Sequence, residues 1–256
     1  MALKRIIPCL LYDGKGLVKT TKFKNPNYIG DPMNAIKIFN EKEVDELILL
    51  DIYATKEKRR INLSKIADFA GECFMPFAYG GGVKTTEEFY ELYKIGVEKV
   101  IVNSLVFENP AVIKEAVNKY GSQAVVVCLD YKKNLFGKKQ VFSFSGHSVK
   151  YTPLDFVKYL EQDLGVGELF LQNVDAEGSW EGFDYEFIKQ ITEVASLPVI
   201  VSGGAGHIEH LKKALYECGA NGAAIGSMAV YSKKGMGVLI NFPKRSEVII
   251  ENTDNQ

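Results

Sequence analysis

Residues 76–82 read Pro76-Phe77-Ala78-Tyr79-Gly80-Gly81-Gly82, and residues 198–204 read Pro198-Val199-Ile200-Val201-Ser202-Gly203-Gly204. Each is a short apolar run of the kind found in strands buried on both faces, closed by glycines. The two lie 122 residues apart. A second apolar run follows each of them, at an offset of 123: Gly96-Val97 with Ile101-Val102-Asn103-Ser104, and Gly219-Ala220 with Ala224-Ile225-Gly226-Ser227. Glycines at strand ends let backbone N–H groups approach phosphate oxygens, and the start of the next helix adds a favourable dipole. Gly81, Gly82, Asn103 and Ser104 therefore form one candidate phosphate cradle, and Gly203, Gly204, Gly226 and Ser227 a second. Tight strand-to-helix turns would also call for glycine. The pairing favours a duplicated chain that holds a ligand with two phosphates.

Working outward, short Val/Ile/Leu-rich runs recur at Ile6–Leu11, Leu47–Asp51, Phe74–Tyr79, Val100–Asn103, Ala124–Asp130, Leu169–Gln172, Val199–Ser202 and Ala223–Gly226. Stretches of helical period lie between them. Residues 33–43 carry Ala35, Ile36 and Phe39 on one side, with Val44 just beyond. Residues 85–95 begin with a Thr cap and an acidic first turn and close at Gly96. Asn109-Pro110 opens a further helix that Gly121 ends. Eight strand–helix units in 256 residues predict a single α/β domain, a (β/α)8 TIM barrel with half-barrels of about 1–120 and 121–240. Residues 12–32 and 131–151 form long loops in matching places of the two halves, where loops cover an active site, and the second contains a candidate hairpin at Leu135–Gly137. The stretch Val238–Pro243 reads as an extended finish rather than an eighth helix.

The composition narrows the classes. Hydrophobic residues make up 46% of the chain, enough for a large core, and a net charge of -1 excludes the basic footprint of a nucleic-acid binder. Cys9, Cys73, Cys128 and Cys218 are scattered, mostly in apolar runs, so buried thiols are expected rather than disulfides or a metal site. His147, His207 and His210 do not make a metal set either. No stretch approaches a membrane span and the N-terminus is no secretory signal, so a cytoplasmic protein without a membrane partner or cofactor is expected.

Asp51 and Asp130 end the second and fifth runs, where barrel strands deliver catalytic groups to the mouth. Asp130 is the candidate general acid or base; a capping carboxylate is the alternative for both. Asp175 and Glu177 follow the sixth run, near the only tryptophan, Trp180. At the other end, Arg5, Glu46, Lys99 and Glu168 each sit just before a strand, which places alternating charges around the N-terminal mouth.

The segments RIIPCL, VDELILLDI, YGGGV, KVIVNS, VVVCLD and PVIVSGGAG occur in an order that resembles the HisF family, the cyclase subunit of imidazole glycerol phosphate synthase, over residues 4 to about 230. The resemblance implies an ammonia-using enzyme subunit that pairs with a glutaminase of the HisH kind. Ammonia would enter past a charged gate formed by Arg5, Glu46, Lys99 and Glu168. It would cross the barrel to a ligand held by two phosphates. Lys19 matches a loop lysine linked to closure over that substrate, and Asp51 and Glu177 take substrate-loop positions, Glu177 where Asp is usual. Tyr53 and Gln172 stand where Thr is usual, and Asn27 where an arginine is.

One departure bears on the chemistry. The family's acid–base pair resembles two Asp residues at the ends of strands one and five. Asp130 fills the second position, but Leu11 fills the first, and Asp13 lies beyond it in the loop. The run LL-x-x-G-x-GLVKT-x-KF at residues 10–23, the phrase IFNEKEVDELILLDI at 38–52 and the ending VLINFP at 238–243 resemble a subgroup of HisF-like paralogues associated with surface-polysaccharide and nonulosonic-sugar genes, which fits this pattern better. It implies ammonia delivery to a sugar amidotransferase. The alternatives are a genuine cyclase subunit of histidine biosynthesis with a displaced acid, and a non-catalytic phosphosugar-binding activator of the glutaminase.

Overall fold

A computed structural model describes residues 3–143, 149 and 151–250; part of the loop at 131–151, with His147, lies outside them. The chain runs β1 (Arg5–Tyr12), β2 (Leu17–Thr21), β3 (Lys24–Gly30), α1 (Pro32–Glu41), β4 (Leu47–Asp51), α2 (Leu63–Glu72) and β5 (Phe77–Gly80). Then come α3 (Thr86–Lys94), β6 (Lys99–Val102), α4 (Leu105–Glu108), α5 (Pro110–Tyr120), β7 (Val125–Lys133), β8 (Lys139–Val141), α6 (Pro153–Tyr159) and β9 (Glu168–Asn173). It ends with α7 (Tyr185–Val194), β10 (Val199–Ser202), α8 (Ile208–Lys212), β11 (Gly222–Ile225), α9 (Ser227–Val230) and α10 (Arg245–Val248). Parallel pairing runs β1-β4-β5-β6-β7-β9-β10-β11, and β11 returns to β1 through Arg5↔Gly222 to Pro8↔Ile225. The sheet is closed. This is the (β/α)8 barrel that the spacing predicts.

Strand alternation sorts the core into two layers. Ile7, Cys9, Ile48, Ala78, Ile101, Val126, Cys128, Phe170, Ile200 and Ala224 form a compact cluster inside the barrel, with Leu50 packed on it. Their neighbours, among them Leu10, Leu47, Leu49, Val125 and Leu169, pack outward against the helices. Ala35, Ile36 and Phe39 of α1 are fully buried in that outer layer, each large side chain contributing about 1.5–3 kcal/mol. The helix caps follow the sequence. Thr85 and Glu88 close a capping box on α3, and Pro110 opens α5 before Gly121 turns at φ +90°.

Two expectations need correction. Residues 12–32 are not a loop: β2 pairs antiparallel with β1 and β3 with β2, turning at Lys22 and Phe23, both at positive φ. The run at Phe74 starts late, because Phe74 is 84% exposed before the strand begins at Phe77. Residues 238–243 form no eighth helix, as expected: Val238 bridges Tyr231 antiparallel, and the segment continues without regular structure to α10, with Phe242 meeting Phe39 edge-on. The second hairpin does form, with β8 antiparallel to the end of β7. No helix among the described residues is long and apolar enough to cross a membrane.

Candidate functional site

The inward parity that selects Ile7, Ile48, Ile101 and Phe170 also selects the residues two positions before them: Arg5, Glu46, Lys99 and Glu168. Their side chains close into a ring at the N-terminal end of the barrel. Arg5 Nη1 meets Glu46 Oε2 at 2.5 Å, and its Nη2 meets Glu168 Oε1. Lys99 Nζ lies 2.9 Å from Glu46 Oε2 and 2.8 Å from Glu168 Oε2. Both carboxylates are buried, and each faces both cations. Burial works against the Arg5 guanidinium, but Glu168 and Glu46 outweigh it and leave its pKa raised. Glu46 and Glu168 are 122 residues apart and so occupy equivalent places in the two halves; both cations come from the first half. Just outside the ring, Asp45 accepts from the Ile6 N–H at 2.8 Å and pairs with Arg245, which ties α10 to this end.

At the C-terminal end the same parity brings forward Leu11, Leu50, Asn103, Asp130, Gln172 and Ser202. Asp130 is buried, accepts from the Cys128 thiol at 3.3 Å, and lies beside Asn103, whose amide donates to the Cys128 carbonyl at 3.0 Å. Burial raises the Asp130 carboxyl to about 7, against smaller lowering effects from Cys128 and Asn103. The Cys9 thiol is pushed up to about 12, chiefly by burial, and burial also raises Cys128, so both stay protonated at neutral pH. Leu11 belongs to the strand diametrically opposite Asp130 in the closed order and is 8% exposed. Asp13 is occupied as a turn acceptor for the N–H groups of Lys15 and Gly16, both at 2.8 Å.

The register corrects the placement of Asp51. It shares the outward parity of Leu47 and Leu49 and pairs with Tyr12, whereas Leu50 points inward. Its Oδ1 accepts from the N–H groups of Tyr53 and Ala54 and from Arg59 Nη2 at 2.8 Å, so its capacity goes to a turn and an ion pair. Arg59, unnoticed in the sequence, also donates to the Asp13 carbonyl. A lone arginine in a loop carries no signal of its partner.

The paired glycines have a geometric cause in both halves. A Cβ on Gly81, at φ +118°, would lie 2.3 Å from the Asp51 carbonyl oxygen; one on Gly203, at φ +93°, would lie 2.4 Å from that of Asn173. Asp51 and Asn173 are themselves 122 residues apart. Gly82 and Gly204 are also at positive φ. Ser104 precedes α4, without a side-chain capping bond, and Ser227 begins α9, so each half has a glycine pair and a short helix start on neighbouring strand ends.

The β2–β3 hairpin folds over the second-half cradle. Lys19 is buried against Glu177 in an ion pair, and a Cβ on Gly226 would lie 3.3 Å from the Lys19 ammonium. Glu177 also accepts from the Phe23 N–H at 3.1 Å, and its carbonyl from Lys22 at 3.0 Å. Beside this latch is a cavity of about 380 Å³ lined by Thr20, Asn27, Trp180, Ser227 and Tyr231 among others. The Thr20 hydroxyl, itself buried, has no hydrogen-bond partner among the described residues. Trp180 stands at φ +68°, an uncommon conformation for an aromatic residue.

A (β/α)8 barrel closed at one end by a charged ring, with duplicated glycine-rich strand ends at the other, is the class that fold and site define. A family model described as "Histidine biosynthesis protein" matches residues 5–235. The chain belongs to this family and, within it, to the HisF-like subunits of imidazole glycerol phosphate synthase. It is 46% identical to a Pseudomonas aeruginosa protein provisionally named imidazole glycerol phosphate synthase subunit hisF2, over 95% of this chain and 97% of the relative. It is 43% identical to a Leptospira interrogans protein provisionally named the HisF subunit, over 96% and 98% of the two chains. Identity to the imidazole glycerol phosphate synthase subunit HisF of Streptococcus mutans is 36%, over 91% and 93%.

Proposed function

We propose that this barrel pairs with a HisH-like glutaminase at its N-terminal end, takes ammonia through the barrel, and supplies it for amidation of a sugar in surface-polysaccharide synthesis. The observation that carries this reading is the contrast between the two ends: the ring of Arg5, Glu46, Lys99 and Glu168 is complete, while Leu11 faces Asp130. An aliphatic side chain neither gives nor takes a proton, so a reaction needing both carboxylates loses at least the ~10²–10⁴-fold of one acid–base group. The interior between the ends is apolar, which favours neutral ammonia over ammonium. Gly81, Gly82, Asn103 and Ser104, with Gly203, Gly204, Gly226 and Ser227, are the groups proposed to hold a phosphorylated ligand; Lys19 and Glu177 close the hairpin beside it.

Expression in a bacterium that lacks its own cyclase subunit tests this. No growth without histidine is expected. Growth would overturn it in favour of a cyclase, whose displaced acid, Asp13, is engaged as a turn acceptor. Ammonia delivery by the glutaminase complex separates a conduit from a scaffold that only activates glutamine hydrolysis.

A further inference from the structure

The hairpin made by the end of β7 and by β8 projects from the C-terminal end of the barrel. Tyr131 pairs with Val141, Lys132 with Gln140 and Lys133 with Lys139. The turn is pinned from within: the Asn134 N–H donates to the Lys138 carbonyl at 2.9 Å. Asn134 Oδ1 in turn accepts from the N–H groups of Phe136 at 2.9 Å and Lys138 at 3.0 Å. This leaves Leu135 103% and Phe136 89% exposed. An adjacent aliphatic–aromatic pair held wholly in solvent on a well-bonded turn is costly without something to cover it.

The surrounding charge indicates what covers it. The whole chain carries a net charge of -1, which conceals a local excess: residues 132–139 contain four lysines and no acid. Lys133 and Lys138, on either side of the tip, are exposed. Farther back, Lys139 pairs with Asp184 at 2.8 Å, and the Lys132 ammonium lies 3.8 Å from the Phe142 ring centre. The element is an apolar tip with a cationic collar. A stable protein interface takes about 800 Å² from each partner, far more than two side chains on a projecting tip provide. A lipid surface sets no such threshold: a few apolar side chains enter the headgroup boundary, and lysines beside them gain from anionic lipids.

We propose that the β7–β8 hairpin is a peripheral membrane contact. Leu135 and Phe136 enter the interface of an anionic bilayer, Lys133 and Lys138 engage its headgroups, and the C-terminal mouth of the barrel faces the membrane. The inference stands independently of the ammonia reading. Sedimentation of the full chain with phosphatidylglycerol/phosphatidylethanolamine vesicles, against pure phosphatidylcholine, tests it. Binding to the anionic vesicles alone, weakened by salt, is expected. Lys133→Gln with Lys138→Gln lowers partitioning about 5-fold per lysine, and Leu135→Ser with Phe136→Ser at least about 10-fold. Thermal melting stays unchanged in both, because all four side chains are exposed. Phe136→Trp shows a blue-shifted emission component on the anionic vesicles. Failure of the wild-type chain to bind them, or equal binding by the tip variant, overturns the proposal. So does a tip variant that keeps vesicle binding but loses affinity for a purified partner protein.

Discussion

Asp51 and Asn173 stand in equivalent turns of the two halves. Asp51 Oδ1 accepts from the N–H groups of Tyr53 (3.2 Å) and Ala54 (3.0 Å), and Asn173 Oδ1 from those of Asp175 (3.1 Å) and Ala176 (3.3 Å). A glycine, Gly81 or Gly203, presses against the carbonyl of each. The acceptor oxygen is what the turn needs, since an amide serves in one half and a carboxylate in the other. Asp51→Asn should therefore lose only its pairing with half-exposed Arg59, no more than about 1 kcal/mol. Asp51→Ala strands two N–H groups and should cost about 1–3 kcal/mol. Chemical denaturation of the two variants checks the order; equal losses would contradict the turn role.

These turns show what the sequence could and could not carry. The barrel was legible because buried strands and capped helices alternate in the chain itself, and the repeat was legible because glycine is forced where a Cβ would fall within 2.4 Å of a carbonyl oxygen. Asp51 was misplaced by one residue of parity: ending a strand does not say which face a side chain takes, and Leu50, not Asp51, continues the inward row of Ile48. The β2–β3 hairpin escaped notice because its turn uses Lys22 and Phe23 at positive φ in place of the usual Asn-Gly. Arg59, Cys128 and Thr20 gain their partners, or lack them, only through packing.

The charged ring makes a sharper prediction. In Lys99→Ala, Glu46 and Glu168 keep only Arg5 between them. Because Lys99 is about one-fifth exposed at its side chain, the loss should be roughly 2–4 kcal/mol, somewhat below that of a fully buried pair. In a glutaminase complex, glutamine hydrolysis should continue while ammonia delivered at the C-terminal end falls relative to it. A fall of both in equal proportion would argue against a role in passage.

The hairpin latch can be tested by a double-mutant cycle. Lys19 and Glu177 are both buried, so removing one leaves the other uncompensated, at about 3–5 kcal/mol. Replacing both, Lys19→Met with Glu177→Leu, should cost less than Glu177→Leu alone, although the Phe23 N–H loses its acceptor in either case. Limited proteolysis at the turn around Lys22 reports the hairpin directly: cleavage should quicken more in the single variant than in the double. Additive effects would show that the pair does not hold the hairpin down.

Asp130 gives the pH dependence. Its carboxyl titrates at about 7 in the folded chain against 3.8 ordinarily, the main cause being burial. Between these values the folded protein holds a proton that the unfolded chain has released, so its contribution to stability declines as pH rises through the window and is level above it. Asp130→Asn removes the titration while an amide oxygen still accepts from Cys128. The variant should match the wild type near pH 4 and exceed it by roughly 4 kcal/mol near pH 8. Urea unfolding of both proteins across that range checks the sign, and a difference independent of pH would mean that Asp130 stays ionised throughout. The same variant bears on chemistry. If Leu11 has left Asp130 without a partner, Asp130→Asn should leave glutamine-dependent ammonia delivery nearly unchanged, whereas a working acid–base group would lose about 10²–10⁴-fold.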